Sequence, residues 1–314
     1  MLSLIVPVYR NEANIPELLD ALAALNSTMG GEFEAVLVVD GSPDRCLELL
    51  GNALPKASFS SQLIALSRNF GSFAAIRAGL AAARGELLAV MAADLQEPPD
   101  LILTFHEKLL SRKYDVIVGT REGRADPLGK RLASALFWAC YRALVQREVP
   151  RGGVDVFACT REFRDQLLAL PERNTTLVGL VFWLGFRRGE VRYTRQERRH
   201  GKSAWSVRRR VRYLLDSAFA FSDLPVKLMV AVGALGIVLS VVLALAVVYA
   251  KLTGHIRVPG YAATVLTVMF FGGLNSLGFG LLGEYIWRTF ENTKGRPGYV
   301  VAQQRCFPRE GEGE

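Results

Sequence analysis

Cysteine is scarce in this sequence. Four of 314 residues, Cys46, Cys140, Cys159 and Cys306, are cysteines, and no two form a C-x-x-C pair. That excludes a disulfide framework and a zinc ribbon, and it suits reduced thiols in the cytosol. Histidine is scarcer: three residues, none in an H-x-x-x-H pair, leave little for a zinc or iron site. The opening run LSLIVPVYR is too short and wrongly flanked for a secretory leader, so the large N-terminal part is expected in the cytosol. Charged residues are 22% of the chain and hydrophobic ones 50%. Those proportions fit neither a disordered chain nor one wholly embedded in lipid.

Acidic residues are nearly missing from one stretch. Between Arg187 and Arg212 there are eleven basic residues and two acidic ones, Glu190 and Glu197, whereas the whole chain carries a net +8. Tyr193, Trp205, Val207, Val211 and Tyr213 interleave with those charges. The mixture favours an ordered surface that meets anions over a solvated arm, and no nucleic acid is expected as its partner.

Charge then disappears altogether. Leu228–Ala250 and Tyr261–Gly283 are each 23 residues without a charged side chain, against roughly 20 needed to cross a hydrocarbon core. Both read as transmembrane helices. The connector between them carries Lys251 and Arg257. The outer flanks carry more: Arg208, Arg209, Arg210, Arg212 and Lys227 before, and Arg288, Lys294 and Arg296 after. The bias puts both termini on the cytoplasmic side of an inner (plasma) membrane. Small residues recur every fourth position (Gly236, Ser240, Ala244; Gly272, Ser276, Gly280), which permits close helix contact within the hairpin or in a homo-oligomer. The letters Gly278-x-Gly280-x-x-Gly283 match a dinucleotide fingerprint but follow no strand, so they are set aside.

The rest alternates short apolar runs with helical patterns. Strands are expected over Leu2–Tyr9, Glu34–Val39, Gln62–Ser67, Leu87–Ala92 and Asp115–Gly119. Helices are expected over Ile15–Leu25, Asp44–Ala53, Phe73–Ala83, Pro99–Leu110 and Leu128–Val145. That order predicts an α/β fold with a mostly parallel sheet, whose ligands bind beyond the carboxyl ends of the strands. Polar groups follow all five strands: Tyr9-Arg10-Asn11-Glu12, Asp40-Gly41-Ser42, Ser67-Arg68-Asn69, Asp94-Leu95-Gln96-Glu97 and Thr120-Arg121.

These loops carry a resemblance. LSLIVPVYRNEANI, VVDGSPD, LSRNFGSFAAIRAGLAAARGE and MAADLQEPPDLI resemble the successive motifs of family 2 glycosyltransferases with a GT-A nucleotide-sugar-binding fold. YDVIVGTREGR, GKRLASALF, GGVDVF, LPERNTTLVGLVFWLGF and RHGKSAWSVRRRVRYLLDSAFAFSDLP narrow it to the polyprenyl-phosphate glycosyltransferases, the group of bactoprenol glucosyltransferases and dolichol-phosphate mannose synthases. The resemblance spans about Leu2 to Leu282.

It implies an inverting transfer of one sugar from a UDP- or GDP-sugar to polyprenyl (undecaprenyl) phosphate at the cytosolic face of a bilayer. It implies Mg²⁺ or Mn²⁺ at Asp94 and Gln96, neutralising the departing diphosphate. The family usually has another aspartate two residues before Asp94; here that position is Ala92. Asp40 resembles a contact to the nucleotide base, where the family often has two adjacent aspartates and this chain has Val39-Asp40. Pro7, Tyr9 and Glu12 resemble the cradle of base and ribose, and Arg68 and Asn69 further donor contacts. Asp155 resembles the general base; because a lipid phosphate is already an anion, it would equally serve to orient acceptor or sugar. Arg121, Arg131 and Ser134 resemble residues holding the acceptor phosphate. So do Arg199 and Lys202, although the family's R-x-x-G-x-S-K-Y lysine is here Ala204.

Ser203–Phe219 fits an amphipathic helix on the membrane surface. The expected layout is a cytosolic catalytic domain over 1–200, a juxtamembrane segment over 201–225, a two-helix hairpin over 226–284 and a cytosolic tail over 285–314. The tail after Gly295 matches no motif. Two other readings compete. Gln196-Glu197-Arg198-Arg199-His200 faintly resembles the Q-x-x-R-W motif of processive polysaccharide synthases, without its tryptophan. Ala92 and Val39 suggest a catalytically silent scaffold that binds nucleotide sugar.

Overall fold

The computed structural model describes residues 1–123, 138–139, 141–143, 148–150, 153–172, 175–196, 207–253 and 260–309. Among the described residues, eight strands make one sheet: β1 (Leu2–Val8), β2 (Phe33–Val39), β3 (Ser60–Leu66), β4 (Leu87–Val90), β5 (Val116–Gly123), β6 (Val154–Thr160), β7 (Arg188–Thr194) and β8 (Val301–Phe307). Their spatial order is β7-β5-β6-β4-β1-β2-β3-β8. β1 lies parallel to β2 and β4, β2 to β3, and β5 to β7. β6 runs antiparallel to both β4 and β5, and β8 antiparallel to β3. This is the mostly parallel GT-A-like α/β sheet that the sequence predicts.

Phe33–Val39 is buried at every position because both faces of the sheet are covered, which is why it reads as apolar but for Glu34, whose carboxylate accepts from Ser3 Oγ and Gln62 Nε2. α1 (Ile15–Thr28), α2 (Cys46–Ala53) and α4 (Asp100–Leu110) cover one face through Leu18, Leu22, Leu50, Ile102 and Phe105. α3 (Ser72–Ala82), α5 (Arg161–Ala169) and α6 (Leu177–Trp183) cover the other through Ile76, Leu80, Phe163, Leu167 and Leu180.

The alanine-rich α3 packs especially close. A Cβ on Gly79 would stand 2.4 Å from Ile5 Cγ2 and 3.1 Å from Val38 Cγ2. Gly79→Val is therefore expected to destabilise the protein by about 1–3 kcal/mol through overpacking. Thermal denaturation reads this directly, and an unchanged melting temperature would show that α3 has room to move off β1.

Between β7 and β8 the described residues hold three further helices: α7 (Val207–Phe221), α8 (Leu224–Leu252) and α9 (Tyr261–Thr293). The sequence reads two membrane spans here. Among the described residues no single helix is long and apolar enough to cross a membrane; Tyr213–Phe221 and Leu224–Leu239 meet the requirement only as a pair bent by 79°. α8 and α9 are nevertheless not core helices. Their large apolar side chains, such as Ile237, Leu245 and Phe279, are mostly more than half exposed.

β8 is a strand that the sequence reading does not foresee. Residues beyond Gly295 return to the sheet and pair with β3 from Ser61 opposite Phe307 to Leu66 opposite Val301. VAQQRCF alternates too weakly, and is too exposed along its length, to announce a strand.

Candidate active site

The loops after β1 and β2 are tied together by side chains. The Arg10 amide donates to Ser42 Oγ at 2.8 Å, and the Glu12 amide to Asp44 Oδ2 at 3.2 Å. Arg45 donates to Glu12 Oε1 from Nε at 2.9 Å and from Nη2 at 2.6 Å, and its amide donates to Glu12 Oε2 at 3.1 Å. The Arg45 amide and guanidinium hold the Glu12 carboxyl below the usual carboxylate range. Burial opposes the charge of Asp44, but hydrogen bonds from the Ser42 hydroxyl and from Cys46 and Glu12 outweigh it, so its carboxyl is also lowered. The sequence reading gives Glu12 to the base and ribose. The structure gives its carboxylate to Arg45, because the loop after β2 brings a cation within reach.

Asp40 ties β2 to the next loop. It is 2% exposed, and it accepts from the Phe70 amide on Oδ1 at 2.7 Å and from the Gly71 amide on Oδ2 at 2.8 Å. Its main-chain oxygen accepts from Asn69 Nδ2 at 3.3 Å. The carboxylate thus sits under the start of α3 and shapes the Arg68–Gly71 loop from below, where the sequence reading aims it at a base. Gly41 has φ +55°, and a Cβ there would lie 2.2 Å from the Arg68 carbonyl carbon. Only glycine fits that turn against that neighbour. On the exposed side of the loop, the Arg68 guanidinium lies 4.1 Å from the centre of the Phe70 ring. Tyr9 is exposed at the end of β1, with Arg10 over its ring, and Pro7 is half-buried within the strand.

Asp94 and Gln96 follow β4. Asp94 is half-buried. Gln96 is nearly buried, and its side-chain oxygen accepts a hydrogen bond from Arg195 Nη2. Its Nε2 donates to the Gln196 carbonyl at 3.3 Å, and the Gln196 amide donates to the Gln96 carbonyl at 2.9 Å. The β4 loop is thereby stitched to the end of β7. An open cleft of about 460 Å³ lies alongside, between Pro98–Thr104 and Val191–Gln196.

β6 brings the remaining candidate to this edge. Because it is antiparallel, its first residues lie where the parallel strands end: Val154 pairs with Thr120, and Ala158 with Ala89. Continuing that register runs Asp155 toward Ala92–Asp94. Gly153, just before, has φ +75° and lies under the Trp138 ring, where a Cβ would come within 2.1 Å. Arg121 stands near the end of β5 opposite Tyr193, beside Thr120, whose hydroxyl donates to Glu190 Oε1 at 2.6 Å. Arg131, Ser134, Arg199 and Lys202 lie outside the described residues.

Residues 3–169 match the family described as Glycosyl transferase family 2. The chain belongs to glycosyltransferase family 2. The undecaprenyl-phosphate 4-deoxy-4-formamido-L-arabinose transferase of Pseudomonas aeruginosa is 33% identical to it over 307 residues, 96% of this chain and 89% of that one. An uncharacterized glycosyltransferase of Synechocystis is 30% identical over 302 residues, 96% of this chain and 94% of that one. These relatives bear out the resemblance to polyprenyl-phosphate glycosyltransferases over nearly the full length. Among solved structures, glucosyl-3-phosphoglycerate synthase of Mycobacterium tuberculosis with Mg²⁺ and UDP aligns over 64% of this chain and 72% of that one. Its TM-score is 0.47 and its identity 19%.

The donor set of this glycosyltransferase does not make a preformed metal cage. Ala92 supplies no side-chain oxygen, the Gln96 side-chain oxygen faces a guanidinium, and among the described residues no three His, Cys, Asp or Glu side chains converge. Asp94 alone fits a different arrangement, an ion that arrives with the donor's diphosphate and keeps most of its shell of phosphate and water oxygens. The Gln96–Arg195 bond, the Glu12–Arg45 pair and the Asp40 clamp were not legible as such. Each joins residues 29 or more positions apart, and a run of basic residues shows only its sum. Burial pushes the Cys46 thiol up to about 12 and also raises that of Cys159, so neither is a thiolate at neutral pH.

Proposed function

We propose that this glycosyltransferase moves one sugar from a UDP- or GDP-sugar to a polyprenyl phosphate at the cytosolic face of a membrane, with inversion. The observation that carries the reading is a conjunction. Donor-type loops after β1, β2, β3 and β4, together with the start of β6, share one sheet edge. The same chain then continues into α8 and α9, whose large apolar side chains face outward. Such helices suit lipid as their solvent, with α7 at the headgroups and the two spans crossing the bilayer.

In the proposed reaction a phosphate oxygen of the acceptor attacks the anomeric carbon. The bond from that carbon to the donor diphosphate breaks on the opposite side, and the nucleoside diphosphate leaves with the electron pair. No proton needs removing, since the acceptor is an anion at neutral pH. Asp155 accordingly orients the sugar or the acceptor. Arg68 and the loop amides line the donor side, and Arg121 faces the acceptor phosphate with its planar guanidinium. A divalent ion bound with the donor, touching Asp94, would offset the charge that grows on the leaving diphosphate.

The test is transfer by purified protein in detergent, using undecaprenyl phosphate and a panel of radiolabelled UDP- and GDP-sugars with Mg²⁺ or Mn²⁺. One lipid-linked monosaccharide from one donor is expected, lost in Asp155→Asn. A polymeric product would move the assignment to a processive synthase. Nucleotide binding without any product would move it to a silent scaffold.

A further inference from the structure

The segment after α9 is anchored at both ends, with only four residues between the anchors. At its near end, Lys294 pairs with Glu291 and lies 5.0 Å from the Trp287 ring and 4.4 Å from the Phe290 ring. Nearly two turns earlier, Arg288 donates to Asp216 Oδ1 and to Glu284 Oε1, each at 2.8 Å, and covers the Phe219 ring at 4.9 Å. Asp216 and Phe219 belong to α7, so α9 and α7 form one unit.

At its far end, Tyr299 packs into the cluster on the α3 face of the sheet. Beside it, Arg77 donates to the carbonyls of Leu167, Leu168 and Leu170. The next carbonyl, Val300, accepts from the Ser67 amide at 2.9 Å, one residue before Arg68. β8 then locks in: Gln304 Nε2 donates to Gln62 Oε1 at 3.0 Å, and Gln62 Nε2 to the buried Glu34 at 2.8 Å.

Only Gly295, Arg296, Pro297 and Gly298 lie between the anchors. Gly295, at φ +59°, ends the helix, and proline fixes its own φ. Four residues reach at most about 14 Å. α7 supplies a second attachment, with Tyr213 stacked on Tyr141 at 5.9 Å and Phe221 against Gly179. A body held at one point swivels, whereas a body held at two keeps its height and tilt.

We propose that residues 294–307 are a fixed-length strap that holds the donor loop at a set position over the α7–α9 unit, so that an acceptor phosphate anchored in the bilayer meets the bound sugar. Lys294 and Tyr299 are positioning residues in this scheme. The inference rests on the reading under Proposed function and adds to it the element that sets the reach of the active site.

The experiment uses the full chain in lipid nanodiscs. Inserting about eight Gly/Ser residues between Arg296 and Pro297 leaves both anchors intact but adds slack. Transfer to undecaprenyl phosphate in the bilayer is expected to fall about tenfold or more, since small misplacements of reacting groups carry costs of that order. Transfer to a water-soluble short-chain polyprenyl phosphate, the affinity for nucleoside diphosphate and the melting temperature are expected within about twofold or a few degrees of the parent. Tyr299→Ala is expected to reproduce the selective loss, and Tyr299→Phe to restore it, because the ring is what packs. An unchanged bilayer rate in the insertion variant overturns the proposal. So does an equal loss on both acceptors, which would make the segment a mere brace for the donor loop. A parent protein inactive on both acceptors overturns the underlying reading as well.

Discussion

Asp94→Asn is expected to lower sugar transfer about 100- to 1000-fold with little change in melting temperature. The size is that of losing one well-placed group that stabilises charge developing in a transition state. The departing nucleoside diphosphate gains negative charge as the sugar leaves. In the proposed reaction, with Ala92 two residues earlier and the Gln96 oxygen held by Arg195, Asp94 is the carboxylate that would share an ion with that diphosphate. The substitution keeps the side chain's shape, removes its charge and turns one acceptor oxygen into an NH₂ donor. Calorimetry should therefore show nucleoside diphosphate binding weakened in Mg²⁺ and unaltered in EDTA. The parent should bind little Mg²⁺ without nucleotide, because one carboxylate is a poor cage. Gln96→Ala and Arg195→Ala break the same contact, so their double variant should be hardly worse than either single one. An Asp94→Asn enzyme with half the parent rate would show that charge neutralisation lies elsewhere.

What could be read from the sequence followed from periodicity and local motif. Apolar runs such as AVLVV, Ala35 to Val39, located the central strands, because parallel strands are covered on both faces. Polar residues after those runs located the edge where the site lies. Strand direction was a different matter. β6 and β8 are antiparallel, and nothing in VDVFACT or VAQQRCF specifies direction, which depends on partners far away in sequence. The antiparallel course of β6 is also what brings position 155 to the carboxyl end of β4.

Individual side chains were legible by type and less so by partner. Glu12 and Asp40 stand in the loops where the motifs put them. Their carboxylates answer to Arg45 and to two main-chain amides, respectively. A loop that must hold a nucleotide needs a rigid backbone first, and acidic side chains close to free amides serve that need. Motif letters do not distinguish a residue that touches the ligand from one that shapes the loop touching it. The apolar stretches illustrate the same limit: composition gives two long helices, and only the outward exposure of their side chains argues for lipid around them.

Asp40 provides the sharpest test of that distinction. Asp40→Ala is expected to destabilise the protein by about 2–4 kcal/mol, because two amides that donate to a buried carboxylate lose their acceptor together. The loss falls on the start of α3, where a negative charge also favours the exposed N–H groups of the helix. Asp40→Asn should be nearly as damaging. Oδ1 faces the Phe70 amide and Oδ2 the Gly71 amide, so either orientation of the carboxamide points an NH₂ group at an N–H donor. Gly41 offers no relief, since its close approach to the Arg68 main chain leaves no space for the loop to shift. Urea unfolding measures the stability loss, and nucleoside diphosphate titration at low denaturant-free temperature measures its consequence for the Arg68–Gly71 loop. If Asp40 instead contacts the base and does little for the loop, Asp40→Asn will weaken nucleotide binding while leaving the unfolding midpoint unchanged. The clamp predicts the reverse order of effects, with stability lost first and affinity lost because the loop that forms the pocket is no longer held.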